Sequence, residues 1–271
     1  MRILVLGSSG QIGVSLVNYL KKKNHDVIEF DIENNKNEDL RVSEVIDGIL
    51  PNVDFVFFLA FDVGGSRYLE KYQSTYDFIN NNIKIMTNTF DSIRKHNKKF
   101  IFTSTQMSNM QHSAYGMTKR IGELYTESLG GLAVKLWNVY GYESDMEKSH
   151  VITDFILMSK KDNQIKMRTN GEEERQFLYS EDCCECLETL MEKYSNIDRK
   201  RILHISSFEW NKVIDIANII KEINPSCKII SGKSIDNVQL DSRNEPDDYI
   251  LNFWKPKTTI NEGIKIIYNL Y

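Results

Sequence analysis

No apolar run in these 271 residues is long enough to span a bilayer. Met1-Arg2 leads straight into a strand-like segment, which leaves no room for a signal peptide, so a cytoplasmic protein is expected. An excess of basic charge is also missing. The formal net charge is −4, which provides no electrostatic footprint for nucleic acid or an anionic membrane. Cysteine is limited to four residues. Cys183, Cys184 and Cys186 crowd the start of a helix expected from Glu181 to Tyr194, and Cys227 stands alone. A metal site would want a second ligand group, so packing is their expected role and no metal is expected. Free thiols suit a reducing compartment. Proline is equally scarce, at four, beside abundant Lys, Asn and Ile; this reads as base composition more than function. Internal repeats, low-complexity segments and linkers are absent too. The length allows one large core plus a smaller lobe.

What is present begins at residue 2. Arg2-Ile3-Leu4-Val5-Leu6 is a short apolar run, consistent with a buried parallel strand. Gly7-Ser8-Ser9-Gly10-Gln11-Ile12-Gly13 follows at once, and then Ile12, Leu16, Val17 and Leu20 recur at helical spacing. Strand, glycine turn and helix together make a phosphate site, because free backbone N–H groups at the helix start face a pyrophosphate. The spacing is G-x-x-G-x-x-G, not the commoner G-x-G-x-x-G. A second strand, Asp26–Phe30, ends at Asp31. A carboxylate there can accept hydrogen bonds from an adenosine ribose and would repel a 2′-phosphate, so NAD is expected over NADP.

Strand-like and helix-like segments then alternate. Val53–Ala60 reads as a buried strand, Phe78–His96 as a helix, Lys99–Thr103 as a strand, Ser113–Leu129 as a helix and Leu132–Trp137 as a strand. This alternation predicts an α/β, Rossmann-type doubly wound parallel sheet, with ligands beyond the carboxyl ends of its strands. Gly7, Ala60 and Thr103-Ser104-Thr105 all fall at such ends. After Asn138 the pattern becomes irregular, as in a lobe of loops and insertions.

Tyr115 and Lys119 sit one helical turn apart in Ser-Ala-Tyr-Gly-Met-Thr-Lys and share a face. A tyrosine titrates near ~10 and needs help to act as a base at neutral pH. An ammonium one turn away and a positively charged nicotinamide would lower that value. Surface positions on an amphipathic helix are the bland alternative, and the glycine turn argues against it.

The chain resembles the extended short-chain dehydrogenase/reductases of the nucleotide-sugar epimerase/dehydratase group along its whole length. That resemblance implies an NAD-binding part at 1–138, completed by about 178–202, and a smaller, partly irregular nucleotide-sugar lobe at 139–177 and 203–271. It implies cofactor contacts at Gly7, Ser9, Gly10, Gln11, Ile12, Gly13, Asp31, Asp39, Leu40, Ala60, Asn82, Thr103, Tyr115 and Lys119. Tyr115 matches the family's base, Lys119 its partner, and Thr105 the hydroxyl that hydrogen-bonds the sugar 4-oxygen. Asn138 in Trp137-Asn138-Val139-Tyr140-Gly141, Arg175 in Asn170–Tyr179, and Arg243 in Asp241–Pro246 match residues that approach the substrate diphosphate. Phe61–Gly65 and Ser149–Ile152 are similar to GDP-fucose synthases, which adds Gly65, His150 and Val151 as substrate contacts. A homodimer through the helices carrying Asn82 and Tyr115 is implied as well. Ile83, Met86, Phe90 and Ile93 form the stripe of one helix, and Ile121, Leu124 and Tyr125 that of the other.

Three departures from the pattern shape the expectation. Gln106-Met107 follows Thr105 where 4,6-dehydratases carry an acid–base pair, so dehydration is not expected. Met107 also stands where a GDP-fucose synthase has its cysteine. Only nine residues separate Thr105 from Tyr115, which implies either a more open pocket or a displaced Thr105. The stretch from Asp31 to Val53 is short, with little more than Asn37–Arg41 before a next helix. The expected activity is an NAD-dependent nucleotide-sugar 4-epimerase acting by hydride transfer at C4. The alternatives are a 4-keto-sugar reductase of GDP-fucose-synthase type or, in another class, a non-catalytic NAD-binding sensor or scaffold.

Overall fold

The computed structural model describes residues 1–234, 236 and 245–271. In chain order its elements are β1 (Arg2–Leu6), α1 (Gln11–Lys22), β2 (Asp26–Phe30), β3 (Phe55–Phe58), α2 (Ser66–Tyr72), α3 (Tyr76–His96), β4 (Lys99–Thr105), α4 (Ala114–Ser128), β5 (Leu132–Leu136) and β6 (Asn138–Tyr140). There follow α5 (Val151–Asp162), β7 (Gln164–Lys166), β8 (Glu174–Arg175), β9 (Phe177–Tyr179), α6 (Ser180–Glu192), β10 (Leu203–Ile205), β11 (Asn211–Lys212), α7 (Val213–Ile223), β12 (Lys228–Ile230) and α8 (Ile260–Leu270).

Six strands form one parallel sheet in the order β2-β1-β3-β4-β5-β10. Alternate residues of a strand face opposite sides, and β3 uses both. Phe55 and Phe57 enter the core shared with α1 and α6, while Val56 and Phe58 enter the core shared with α3. That double burial explains the unbroken apolar run in the sequence. The strand order reverses between β1 and β3, which opens a crevice at the carboxyl ends of those two strands.

Local chemistry fixes the helices that frame this crevice. The Thr75 side chain accepts from Phe78 N and starts α3 two residues earlier than its apolar periodicity indicated. Ser113 likewise caps α4 by accepting from Gly116 N at 3.0 Å. The helix expected before β3 does not form. Residues 32–49 run as turns, with Leu40, Ile46 and Leu50 buried beneath the sheet. The segment is long enough to cross the sheet edge but supplies no helical stripe.

The chain beyond Asn138 is more regular than its composition suggested. Helices α5, α7 and α8 pack around Ile156, Ile165, Ile216, Ile220 and Ile264 in a cluster of their own. Strand β6 pairs with β9 in a separate two-stranded sheet. Leu203–Ile205, just past the boundary expected at about 202, form the sixth strand of the main sheet. Ile250 and Trp254 also return to that sheet's core. All four cysteines are buried, and burial pushes the Cys183 thiol up to about 12, so these side chains are packing groups. Among the described residues, no helix is long and apolar enough to cross a membrane.

Candidate active site

A cavity of about 980 Å³ opens at the strand-order reversal. Its floor is the turn between β1 and α1. Gly7 has φ +85°, and a Cβ there would lie 2.6 Å from Ala60 N, so the turn can cross the end of β3 only as glycine. A Cβ at Gly13 would lie 2.0 Å from Gly7 O, which fixes the close approach of α1 to the turn. Gly7, Ser9, Gly10, Gln11, Ile12 and Gly13 all line the cavity. The first N–H groups of α1 have no intrahelical acceptor. Ser9 Oγ is buried without a partner among the described residues. An unpaired hydroxyl beside the positive end of a helix fits a pyrophosphate, so this turn suits a dinucleotide.

Asp31 lies where the sequence placed it. Its Oδ2 accepts from Ser9 N at 2.9 Å and its Oδ1 from Glu33 N at 2.9 Å, tying the end of β2 to the glycine turn. Asp39 and Leu40 also line this end of the cavity. Arg41 grips the Asp39 carboxylate with two bonds of 2.8 Å and holds it below the usual carboxylate range.

Thr105, Tyr115 and Lys119 meet on the opposite wall. Thr105 ends β4, and a tight turn over Gln106–Asn109 leads to the cap of α4. The short connection works because Gly116 has no side chain, as a Cβ there would sit 2.0 Å from Met107 O. That close approach brings Tyr115 beside Thr105. Thr105 therefore stays beside the tyrosine despite the missing loop residues. Thr103 and Ala60 line the wall beside them.

The electrostatics of this cluster reverse one expectation. Burial pushes Tyr115 up to about 12, with only a partial offset from Thr105. The expected lowering by an ammonium one turn away does not appear, because burial also pulls Lys119 down to about 7 against the opposing pull of Glu123. Lys119 Nζ donates to Thr103 O at 2.6 Å and lies 3.9 Å from the centre of the Phe61 ring. Behind it, Glu123 accepts from Ser104 Oγ and Arg120 Nη1, each at 2.6 Å, in the buried layer under α4. Phe61 entered the sequence analysis only as the start of the Phe61–Gly65 likeness, and Glu123 did not stand out, since a glutamate on a helix is commonplace.

Gly65, Asn138 and His150 line the remaining wall, and Asn138 Oδ1 accepts from Gln106 Nε2 at 3.0 Å. His150 caps α5 and lies 2.6 Å, through Nδ1, from Glu143 Oε1. Burial works against the imidazolium, yet the Glu143 carboxylate outweighs it and holds His150 above its ordinary value. Tyr271 Oη accepts from Glu143 N at 2.7 Å and donates to Glu143 O at 2.8 Å, which fixes that carboxylate's backbone. Glu143 was missed because it sits on a loop without periodicity.

Three expected contacts do not reach the cavity wall. Asn82 is fully buried, and its amide is used by the backbone of Asp62, accepting from N at 2.7 Å and donating to O at 3.0 Å. Its place in this structure is to hold the loop after β3. Val151 is the first residue of α5 and lies behind His150. Arg175 Nη2 donates to Asp236 Oδ2 at 2.6 Å, so its guanidinium is engaged within the protein. Arg243 lies outside the described residues.

A parallel sheet with a glycine turn at its order reversal, facing a buried Thr-Tyr-Lys cluster, defines an NAD-dependent enzyme of short-chain dehydrogenase/reductase architecture. The chain belongs to the NAD dependent epimerase/dehydratase family, which residues 3–206 match. It is 23% identical to a GDP-L-fucose synthase of Sinorhizobium fredii, covering 100% of this chain and 95% of that one. Its fold is similar to a UDP-glucose 4-epimerase of Thermotoga maritima, with a TM-score of 0.84 and 23% identity over 99% of this chain and 98% of the other. It is also similar to a GDP-6-OMe-4-keto-L-xylo-heptose reductase from C. jejuni, with a TM-score of 0.84 and 18% identity over 100% and 97% of the two chains.

Proposed function

We propose that this enzyme interconverts nucleoside-diphosphate sugars epimeric at C4. The observation that carries this reading is the buried Thr105–Tyr115–Lys119 cluster, in one cavity with the glycine turn and followed by Gln106 and Met107. Neither of those two residues can exchange a proton with a sugar carbon, so the reading rests on chemistry at one oxygen and one hydrogen. The glycine turn and Asp31 would hold NAD, which would supply the hydride acceptor. Tyr115 receives the proton of the 4-hydroxyl and returns it. Thr105 hydrogen-bonds the same oxygen and orients it, while Lys119, held on Thr103 O, lies one helical turn from Tyr115. Asn138, Gly65 and His150 face the remainder of the sugar nucleotide.

The His150–Glu143 pair favours a second reading, reduction of a 4-keto sugar by an enzyme that also handles a proton elsewhere on the ring. A carboxylate on Nδ1 leaves Nε2 of a half-exposed imidazole on the cavity wall without a partner among the described residues. The activities of the two similar folds correspond to the two readings, one an epimerase and one a 4-keto reductase.

A homodimer is part of this proposal. The exposed apolar side chains of α4 are Met117, Ile121, Leu124 and Tyr125, and those at the start of α3 are Tyr76 and Ile79. A C2 pairing of these faces would cover them.

Incubation with UDP-, GDP-, dTDP- and CDP-sugars deuterated at C4 tests the function. An epimerase yields a C4-epimer that keeps its deuterium without net use of added NAD. Stoichiometric consumption of added NADH or NADPH would transfer the assignment to the reductase. No turnover with any sugar nucleotide would overturn both.

A further inference from the structure

We infer that Glu38 is a second cofactor-selecting residue, forming with Asp31 an unneutralised double carboxylate that excludes the 2′-phosphate of NADP. Six charged residues line this end of the cavity: Asp31, Glu33, Lys36, Glu38, Asp39 and Arg41. Four of them pair among themselves. Arg41 is bidentate on Asp39, and Lys36 lies 3.8 Å from Glu33. Asp31 and Glu38 remain, and their partners are neutral N–H groups. Ser9 N and Glu33 N donate to Asp31, while Asp31 N donates to Glu38 Oε2 at 2.7 Å and Asn35 Nδ2 to Glu38 Oε1 at 3.4 Å. Among the described residues neither carboxylate has an ion pair.

The bond from Asp31 N to Glu38 places the second carboxylate beside the residue at the end of β2, where the adenosine ribose of a dinucleotide lies. Two adjacent negative charges with no cation between them repel an incoming phosphate dianion and leave a neutral ribose hydroxyl two acceptors. The residues divide the work. Asp31 has both oxygens on backbone N–H groups, so it also holds the glycine turn in place. Glu38 contacts the turn only through Asp31, and its charge can be removed while an acceptor oxygen remains.

Calorimetric titration of NAD and NADP into full-length protein freed of bound nucleotide tests this for wild type and Glu38→Gln. The variant is expected to bind NADP about tenfold more tightly, with NAD affinity within about twofold, since one like charge at this range corresponds to roughly that factor. Glu38→Lys, which introduces attraction, should move NADP further in the same direction. In wild type, NADP affinity should gain on NAD affinity as salt rises, because salt screens repulsion at an exposed site. The inference is overturned if Glu38→Gln leaves the NADP-to-NAD ratio unchanged, or shifts both affinities together. A wild-type ratio that falls or stays flat with salt would also overturn it. These binding readouts do not depend on which sugar the enzyme turns over.

Discussion

Tyr115 and Lys119 each carry a burden imposed by burial. With Tyr115 pushed up to about 12 and Lys119 pulled down to about 7, the resting site holds a neutral phenol beside a lysine near half-protonation. Catalysis therefore needs the ligands to supply charge, and among the described residues Tyr115 is the group placed to take the proton of the 4-hydroxyl. Tyr115→Phe should lower turnover by ~10²–10⁴-fold while sugar-nucleotide binding survives. Retention of more than about a tenth of the wild-type rate, measured under saturating substrate, would move the base elsewhere. Lys119 has a stability signature as well. Between about 7 and 10.5 the unfolded chain binds a proton at this residue that the folded chain does not, so its contribution to stability rises with pH across that window and is lowest below about 7. Lys119→Met should remove that rise. Denaturant titrations of both proteins at several pH values would show wild type gaining stability relative to the variant as pH increases; a constant difference would refute the assignment.

The start of α4 governs the site through its backbone. Gly116 lies against Met107 O, and this contact sets Tyr115 next to Thr105 across a connection of only nine residues. Gly116→Val should overpack the contact, cost ~1–3 kcal/mol in a denaturant titration and separate the catalytic pair, reducing turnover disproportionately. Gly48→Ala is the control. Its Cβ would meet nothing within 4 Å, so stability should stay within ~0.5 kcal/mol and activity should be unchanged. Equal effects at the two glycines would mean that α4 is not held by that contact. The sequence located α4, β4 and their motif residues well, because helix period, a serine cap and a strand end are local signals. It overestimated the crossover between β2 and β3, where Leu40 and Ile46 bury themselves from turns.

At the scale of the molecule, the open question is how the apolar faces of α3 and α4 are covered. Met86, Phe90 and Ile93, expected to contribute to a partner-facing stripe, are instead buried against the protein's own sheet. Tyr125 stacks on Phe90 with ring centres 5.3 Å apart and still leaves part of its surface exposed. What remains for a partner is Tyr76, Ile79, Met117, Ile121, Leu124 and Tyr125. Sedimentation at micromolar concentration should show a species of twice the 31.6 kDa chain mass, and Leu124→Glu should convert it to a 31.6 kDa monomer. A wild-type protein that sediments only as the monomer would end the proposal. An active monomer would show that α4 needs no partner to position Tyr115.

The amino-acid sequence by itself determined the strand and helix segments, the glycine turn, the position of Asp31 and the spacing of Tyr115 and Lys119. Each of these depends on residues close in the chain, so spacing and residue type suffice to specify them. Tertiary structure decided what no local pattern encodes. It raised the tyrosine by burying it, turned Asn82 inward to the Asp62 backbone and engaged Arg175 with Asp236. It also brought Glu143 to His150 and set Glu38 beside Asp31. Burial and charge pairing are properties of the packed whole, which is why these outcomes required the folded chain.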